Sequence, residues 1–259
     1  MKRTREKKDL FIDKIKALYP QKSAEILDVL TTSVPPSFRV NTRRVVVQDV
    51  IDSLKLQGFE ITDGPIAPSY ICHQGSSQVR LSETKEFNTG EIYMQNIESM
   101  LPVQVIAPKN GEKILDLCAA PGSKTTQILD FVNDTSTIVA VEKDSRRYER
   151  LLQNLQLYSP DHQVTVINTD GYRLERQYPN FENQFDVVFV DAPCSSEAYV
   201  RPLQEKNLKY WNRKKYSDFV GLQKGLIMSG YRMLKPGGRM LYSTCTYSVE
   251  EKEAVVDWL

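Results

Sequence analysis

The stretch ILDLCAAPGSKTT, residues Ile114–Thr126, decides the fold of this chain. It begins as a short apolar run, passes through small residues and a proline, and continues in a sequence typical of a helix. In an α/β domain this order is a parallel strand followed by a turn that offers a ligand to the next helix. Strands and helices alternate after it, which predicts a doubly wound parallel sheet.

Apolar runs and helical periodicity set the predicted elements of this sheet. We predict strands at Lys113–Leu117, Thr137–Glu142, Gln163–Asn168, Phe185–Asp191 and Gly238–Thr244, and helices near Lys124–Val132, Ser145–Leu157 and Val220–Leu234. Upstream, residues 1–33 are predicted to form helices. Residues 34–89 are predicted to form a small α/β lobe that includes an extended segment at Ser37–Val47, and residues 90–259 form the large domain. The sequence stops inside an amphipathic pattern at Ala254–Leu259, and we expect the chain to be truncated there.

Composition and cysteine usage narrow the class of protein. The chain has 259 residues, of which 41% are hydrophobic and 26% charged, as in ordinary globular proteins. The four cysteines are widely separated, and neither His73 nor His162 has metal-ligand spacing, so we predict no metal site. With no membrane-length apolar run and no signal core, we expect a cytoplasmic protein with reduced thiols and no membrane partner.

The turn at 118–124 and the ends of the neighbouring strands are the candidate ligand site. Ala119, Ala120 and Gly122 allow a close backbone approach, and an acidic Glu142 at a strand end suits a ribose diol. A P-loop is excluded because Ser123 separates the glycine from the lysine, and a GxGxxG pattern is missing. The turn alone leaves several nucleoside cofactors open, as well as a purely structural tight turn.

Two cysteines stand in polar settings just past predicted strands. They lie in VDAPCSS (Val190–Ser196) and YSTCTYS (Tyr242–Ser248). If these strand ends share one sheet edge with the 118–124 turn, a cofactor pocket faces two thiols. The competing interpretation is two small buried hydrophobes.

Two basic segments suggest a nucleic-acid partner. Arg201–Lys215 carries six basic residues against one acidic residue and contains aromatic side chains, a combination suited to phosphate contact and base stacking. A solvated helix face is the alternative. Met1–Lys16, with seven basic residues against three acidic ones, is a weaker candidate.

The motifs taken together resemble those of the Nol/Nop/Sun family of RNA cytosine-5 methyltransferases. The resemblance rests on RVNT (Arg39–Thr42), GEIYMQN (Gly90–Asn96), CAAPGSK (Cys118–Lys124), DAPCS (Asp191–Ser195) and STCTYS (Ser243–Ser248). It covers roughly residue 35 to the end and implies a Rossmann-like methyltransferase domain at 90–259. It also implies an RNA-recognition-like lobe at 34–89, and the family's closing strand pair is missing.

The resemblance implies a role for each matching residue. Cys245 is the expected nucleophile, Cys194 assists product release, and Asp191 also contacts the target cytosine. S-adenosylmethionine is the expected cofactor, held by Cys118, Ala119, Ala120, Pro121, Gly122, Ser123, Lys124, Glu142, Arg147, Asp170 and Asp191. The chain departs from the family at Ser123, Ser196 and Ala198, where glycine is usual, and at Glu142, where aspartate is usual.

We therefore expect a monomeric enzyme that methylates carbon 5 of a cytosine in rRNA or tRNA through a covalent Cys245 adduct. Attack of a thiolate at carbon 6 makes carbon 5 nucleophilic, and a lowered Cys245 pKa is expected. Two alternatives stay open. One is a DNA cytosine-5 methyltransferase that uses Cys194 of the Pro-Cys pair, and the other is a catalytically silent RNA-binding scaffold.

Overall fold

A computed structural model describes residues 2–161, 164–204, 206–209, 211 and 216–259. The helices are α1 Lys2–Leu18, α2 Ser23–Thr31, α3 Val47–Leu56, α4 Lys85–Asn88, α5 Ile97–Ile106, α6 Ser123–Phe131, α7 Ser145–Tyr158, α8 Tyr216–Met233 and α9 Glu253–Trp258. The strands are β1 Ser37–Val40, β2 Glu60–Asp63, β3 Ser69–His73, β4 Ile92–Met94, β5 Lys113–Asp116, β6 Thr137–Glu142, β7 Val164–Asn168, β8 Phe185–Asp191 and β9 Leu234–Ser243. Within the described ranges, no helix is both long and apolar enough to cross a bilayer.

The chain divides into two compact units. The terminal unit comprises Met1–Val34, Ala192–Ile227 and Ser243–Leu259. The sheet unit comprises Pro35–Asp191 and Met228–Tyr242.

The larger sheet of the sheet unit has the strand order β7-β6-β5-β8-β9. The pairings of β5 with β6, β5 with β8, and β6 with β7 are all parallel. Ile114 and Leu115 on β5 are fully buried, as expected of a central strand covered on both faces. The predicted doubly wound sheet is confirmed. Gln163, the predicted first residue of the third strand, and the neighbouring His162 lie outside the described residues.

A second, antiparallel sheet with the order β2-β3-β1-β4 forms the small lobe of the same unit. Val50 and Leu54 of α3 belong to one apolar core with Phe38 of β1. The extended segment predicted over Ser37–Val47 is wrong beyond Val40. There the backbone turns, because the amides of Arg44 and Val45 both donate to the Asn41 carbonyl.

The boundary between lobe and large domain, expected between residues 89 and 90, stays a prediction. The fourth strand of the small sheet, β4, lies just beyond that position and pairs with β1.

The terminal unit has its own apolar core. Phe11 and Ile15 of α1 are fully buried in a cluster with Leu30 and Trp211. The rings of Phe11 and Trp211 meet edge to face, with centroids 5.4 Å apart. The amphipathic N-terminal helix is thereby part of the folded core.

Candidate active site

The turn after β5 consists of small, buried residues and is the candidate ligand cradle. Ala119 and Ala120 are buried, and Gly122 stands at the N-cap of α6 with φ +106°. A Cβ on Gly122 would lie 3.0 Å from Leu151 Cδ1, and its backbone conformation strains any L side chain. The glycine is required here by both its conformation and its packing.

Lys124 and Asp191 form an ion pair beside this turn. Nζ of Lys124 lies 2.5 Å from Oδ2 of Asp191, which ends β8. The lysine is almost completely buried, whereas about a third of the aspartate side chain is exposed. The pair links the first turn of α6 to the carboxyl end of the adjacent strand, so two residues predicted from separate motifs lie together.

Asp116 is a site residue that the motif reasoning missed. It ends β5, is 1% exposed, and accepts a hydrogen bond on Oδ2 from Thr125 Oγ1 at 2.8 Å. Its Oδ1 has no hydrogen-bond partner among the described residues. Burial raises the pKa of Asp116 to about 6, against the opposing hydrogen bond from Thr125 and charge of Lys124. Its place at the end of the strand, directly before the turn, was the available signal.

The raised pKa of Asp116 predicts a pH-dependent free energy of unfolding. The folded chain holds this proton up to about pH 6, whereas an aspartate in the unfolded chain loses it near its ordinary pKa of 3.8. The stability that protonation provides is present below pH 4 and is lost as the pH rises through 6, by roughly 2–3 kcal/mol. Asp116→Asn mimics the protonated acid, so the variant should keep this stability as the pH rises.

Urea unfolding at several pH values measures this effect as a difference between Asp116→Asn and wild type. The difference should move in favour of the variant between pH 4 and 7. A difference that stays constant over that range contradicts the raised pKa.

Arg147 links Glu142 to the turn, whereas Asp170 follows a different strand, β7. Glu142 ends β6, is buried, and accepts the amide of Asp144 at 2.9 Å. Nη1 of Arg147 lies 3.6 Å from a Glu142 carboxylate oxygen, and its Nη2 donates to the Ala120 carbonyl. Asp170 follows β7 by two residues and pairs with Lys143 at 2.6 Å.

The two thiols lie together in the terminal unit. Sγ of Cys194 is 3.2 Å from Sγ of Cys245, and the amide of Cys245 donates to Cys194 Sγ at 3.3 Å. Cys194 is 8% exposed, and Cys245 is half-buried. In the chain they follow β8 by three residues and β9 by two.

The electrostatics of the pair keep the Cys194 thiol protonated. The pKa of Cys194 is raised, first by its hydrogen bond with Cys245, then by burial and by the electrostatic effect of that neighbouring thiol. The amide of Cys245 acts in the opposite sense, but its effect is smaller. The raised pKa keeps Cys194 protonated at neutral pH, so its thiol can donate to the Sγ of Cys245. Cys118, in contrast, has its pKa raised by burial and by surrounding carboxylates, which suits a thiol with no nucleophilic role.

The basic segment Arg201–Lys215 stays a predicted RNA contact except at Trp211. Trp211, expected as a stacking platform, is 5% exposed and donates Nε1–H to Glu197 at 2.7 Å. The prediction is wrong for this ring because the apolar core of the terminal unit holds it. Residues 205, 210 and 212–215 of the segment lie outside the described residues. Among the described residues, no group of His, Cys, Asp and Glu comes together that could hold a metal ion.

Comparison with known families gives two matches. The family model described as 16S rRNA methyltransferase RsmB/F matches residues 103–259. The chain belongs to the RsmB/F methyltransferase family. A second model, the ferredoxin-like domain of RsmF/B-like methyltransferases, matches residues 9–80. The predicted Nol/Nop/Sun resemblance and the predicted fold class are both confirmed.

Relatives of this family extend the match over nearly the whole chain. The chain is 35% identical to a tRNA (cytosine(49)-C(5))-methyltransferase of Pyrococcus abyssi, covering 92% of this chain and 74% of that protein. It is 35% identical to the ribosomal RNA small subunit methyltransferase F of Klebsiella pneumoniae, covering 86% of this chain and 46% of that protein. The chain thus spans about half the length of its ribosomal relatives.

A solved structure has the same fold as this chain. The methyltransferase homolog protein from Pyrococcus horikoshii superimposes with a TM-score of 0.80 at 30% identity, covering 96% of this chain and 77% of that chain.

Proposed function

We propose that this chain is an RNA methyltransferase that transfers a methyl group from S-adenosylmethionine to carbon 5 of a cytosine through a covalent Cys245 adduct. The observation that carries the proposal is the thiol pair, in which a buried, protonated Cys194 lies 3.2 Å from Cys245. A hydrogen-bond donor beside a thiolate favours its charged form, and a lowered pKa is one way in which covalent catalysis activates a nucleophile.

The proposed chemistry gives the two thiols different tasks. The thiolate of Cys245 adds to carbon 6 of the cytosine, and the electron pair of the 5,6 double bond becomes available at carbon 5. After carbon 5 takes the methyl group, its proton passes to a solvent water, and the electron pair of that C–H bond re-forms the 5,6 double bond as the Cys245 thiolate leaves. Cys194, which keeps its proton at neutral pH, assists this release, and Asp191 contacts ring nitrogen 3.

The residues around the 118–124 turn fit an S-adenosylmethionine nucleoside. Gly122 lets the turn pack closely against Leu151, and the α6 N-terminus presents free amides. Glu142 supplies a carboxylate for the ribose diol, and Arg147 holds that carboxylate against the turn. Bound there, S-adenosylmethionine supplies the methyl group as an electrophilic sulfonium. Cys118, Pro121, Ser123, Lys124 and Asp170 remain proposed contacts.

Gly122→Ala is expected to weaken S-adenosylmethionine binding about tenfold, because a Cβ 3.0 Å from Leu151 Cδ1 displaces the turn that faces the cofactor. Isothermal titration of the folded variant measures the change in Kd. Gly111→Ala is the matched control, because Gly111 also has a positive φ, +81°, but its Cβ would meet only Thr135 Oγ1, at 3.9 Å. Equal Kd values for Gly122→Ala and wild type contradict the cradle.

The proposed substrate is RNA, as rRNA or tRNA. The names of the relatives include both a ribosomal RNA and a tRNA enzyme, and the match to the ferredoxin-like model lies over the expected RNA-binding lobe. The proposal includes a cytoplasmic monomer, since the chemistry needs both thiols reduced. Bisulfite sequencing of total RNA from cells with and without the protein identifies the cytosine, and identical methylation maps contradict the proposal.

Two rival functions make different predictions. A DNA-type enzyme would use Cys194 as nucleophile, in which case Cys194→Ser abolishes covalent adducts and Cys245→Ser retains them. An RNA-binding scaffold would leave the cofactor unbound, so isothermal titration of the folded protein with S-adenosylmethionine would show no heat of binding.

A further inference from the structure

We propose that Glu197 is a positioning residue for Cys245, holding the loop that carries this thiol against the loop that carries Cys194. The inference rests on the proposed function, because it gives a task to a residue that does not touch the reacting atoms. The contacts from which it is argued lie within the terminal unit. The two loops are defined as residues 194–198 and 245–248.

Glu197 binds the loop after Cys245 directly. Its side chain is fully buried, and its Oε2 accepts the amide of Tyr247 at 2.9 Å and the hydroxyl of Thr246 at 3.0 Å. These are the two residues that follow Cys245 in the chain. A carboxylate that accepts both groups fixes the path of the backbone on which the Cys245 Sγ depends.

Two further contacts close the loops on each other. The amide of Ala198 donates to the carbonyl of Cys245 at 2.9 Å, and the hydroxyls of Ser195 and Thr246 lie 2.8 Å apart. Together with the bonds to Glu197, they bracket the thiol contact from both sides. The short Sγ–Sγ separation is therefore set by a network rather than by the thiols alone.

Lys14 neutralises the buried carboxylate. Its Nζ lies 2.7 Å from both carboxylate oxygens of Glu197, and Trp211 donates its indole N–H to Oε1. A fully buried carboxylate is tolerated only when it is paired and hydrogen-bonded in this way. The helix α1, whose basic residues first suggested RNA contact, thus supplies through Lys14 the countercharge for the group that orients Cys245.

The competing role for Glu197 is purely structural, in which it joins α1 to the terminal unit and has no effect on the thiols. The rate at which Cys194 and Cys245 close into a disulfide under diamide distinguishes the two roles, because closure depends on how often the sulfur atoms meet. Diamide takes up the two electrons and two protons that the thiols lose. Trypsin leaves the two cysteines in separate peptides, residues 177–206 and 240–252, so the cross-linked product is identified by mass.

Glu197→Gln should slow closure at least tenfold, and Thr246→Val, which is nearly isosteric, should slow it at least threefold. Leu30→Ala is the matched control, because Leu30 lies in the apolar cluster of the same unit and its removal lowers the thermal midpoint. It should leave the closure rate at the wild-type value. If Glu197→Gln and Thr246→Val both fold and close at the wild-type rate, the positioning role is overturned, and a Leu30→Ala rate that falls with theirs also overturns it.

A second readout separates this inference from the proposed function. Covalent trapping of 5-fluorocytidine RNA depends on the methyltransferase chemistry, whereas thiol closure needs no RNA. Slow closure in Glu197→Gln with no trapping by wild type keeps the positioning role and rejects the proposed function. Trapping by wild type with unchanged closure in the variants keeps the proposed function and rejects the positioning role of Glu197.

Discussion

Replacement of Cys245 by serine is expected to reduce methyl transfer to RNA at least about 10³-fold, because the hydroxyl is a far weaker nucleophile than the thiolate. The measurement is incorporation of labelled methyl groups from S-adenosylmethionine into rRNA and tRNA transcripts. Binding of S-adenosylmethionine should change little, because the loss concerns the nucleophile and not the cradle around Gly122. Isothermal titration checks that separation.

Cys194→Ser is the matched variant for this experiment, since it alters the other thiol of the same pair. It should slow turnover by about 10²-fold, the scale of one general acid, while the adduct with RNA still forms. Adduct that accumulates in Cys194→Ser and is missing in Cys245→Ser supports the assigned roles. The opposite pattern transfers the nucleophile to Cys194.

Replacement of Arg39 by methionine is expected to lower the free energy of unfolding by about 3–5 kcal/mol, the cost of leaving a buried charge without its partner. Arg39 lies on β1, is 1% exposed, and forms an ion pair with Asp130 of α6. Its further acceptors in the sheet unit are Gln95 Oε1, Tyr158 Oη, Thr126 Oγ1 and the Ser123 carbonyl. This side chain links β1 of the small sheet to the first turn of α6.

Urea unfolding measures the loss, and a double-mutant cycle assigns it. Burial raises the pKa of Asp130 and the Arg39 charge opposes that rise, so Asp130→Asn in the Arg39→Met background should recover part of the stability. Arg80→Met, which removes an exposed pair with Glu83, should have little effect. Additive effects of Arg39→Met and Asp130→Asn contradict a coupled buried pair.

Local patterns predicted the sheet and the turn between β5 and α6 well, because both depend on residues close together in the chain. The apolar run of β5, the small residues after it and the helical sequence of α6 are read directly from Ile114–Thr126. The family motifs then identified the thiols, which the structure brings within 3.2 Å across 51 residues of sequence. The periodicity of apolar residues did not predict that these two thiols lie together.

What the sequence did not reveal depends on partners far away in the chain. The role of Glu197 is visible only in the folded chain, where Lys14 and Tyr247, 183 and 50 residues away in sequence, both bind its carboxylate. Trp211 resembled a stacking platform because its neighbours are basic, but its own ring is needed in the core. Arg39 was recognised as part of RVNT without a task, and burial against α6 supplies one.

The central claim is that Cys245 forms the bond to the target cytosine. The most direct measurement is to incubate the protein and S-adenosylmethionine with 5-fluorocytidine-substituted rRNA and tRNA transcripts, and to map the trapped nucleotide by mass spectrometry. Fluorine cannot leave carbon 5 as a proton does, so the adduct persists. The account predicts the nucleotide on the tryptic peptide 240–252, which contains Cys245 as its only cysteine. A nucleotide on the Cys194 peptide, 177–206, or no adduct with any of these RNAs, would contradict it.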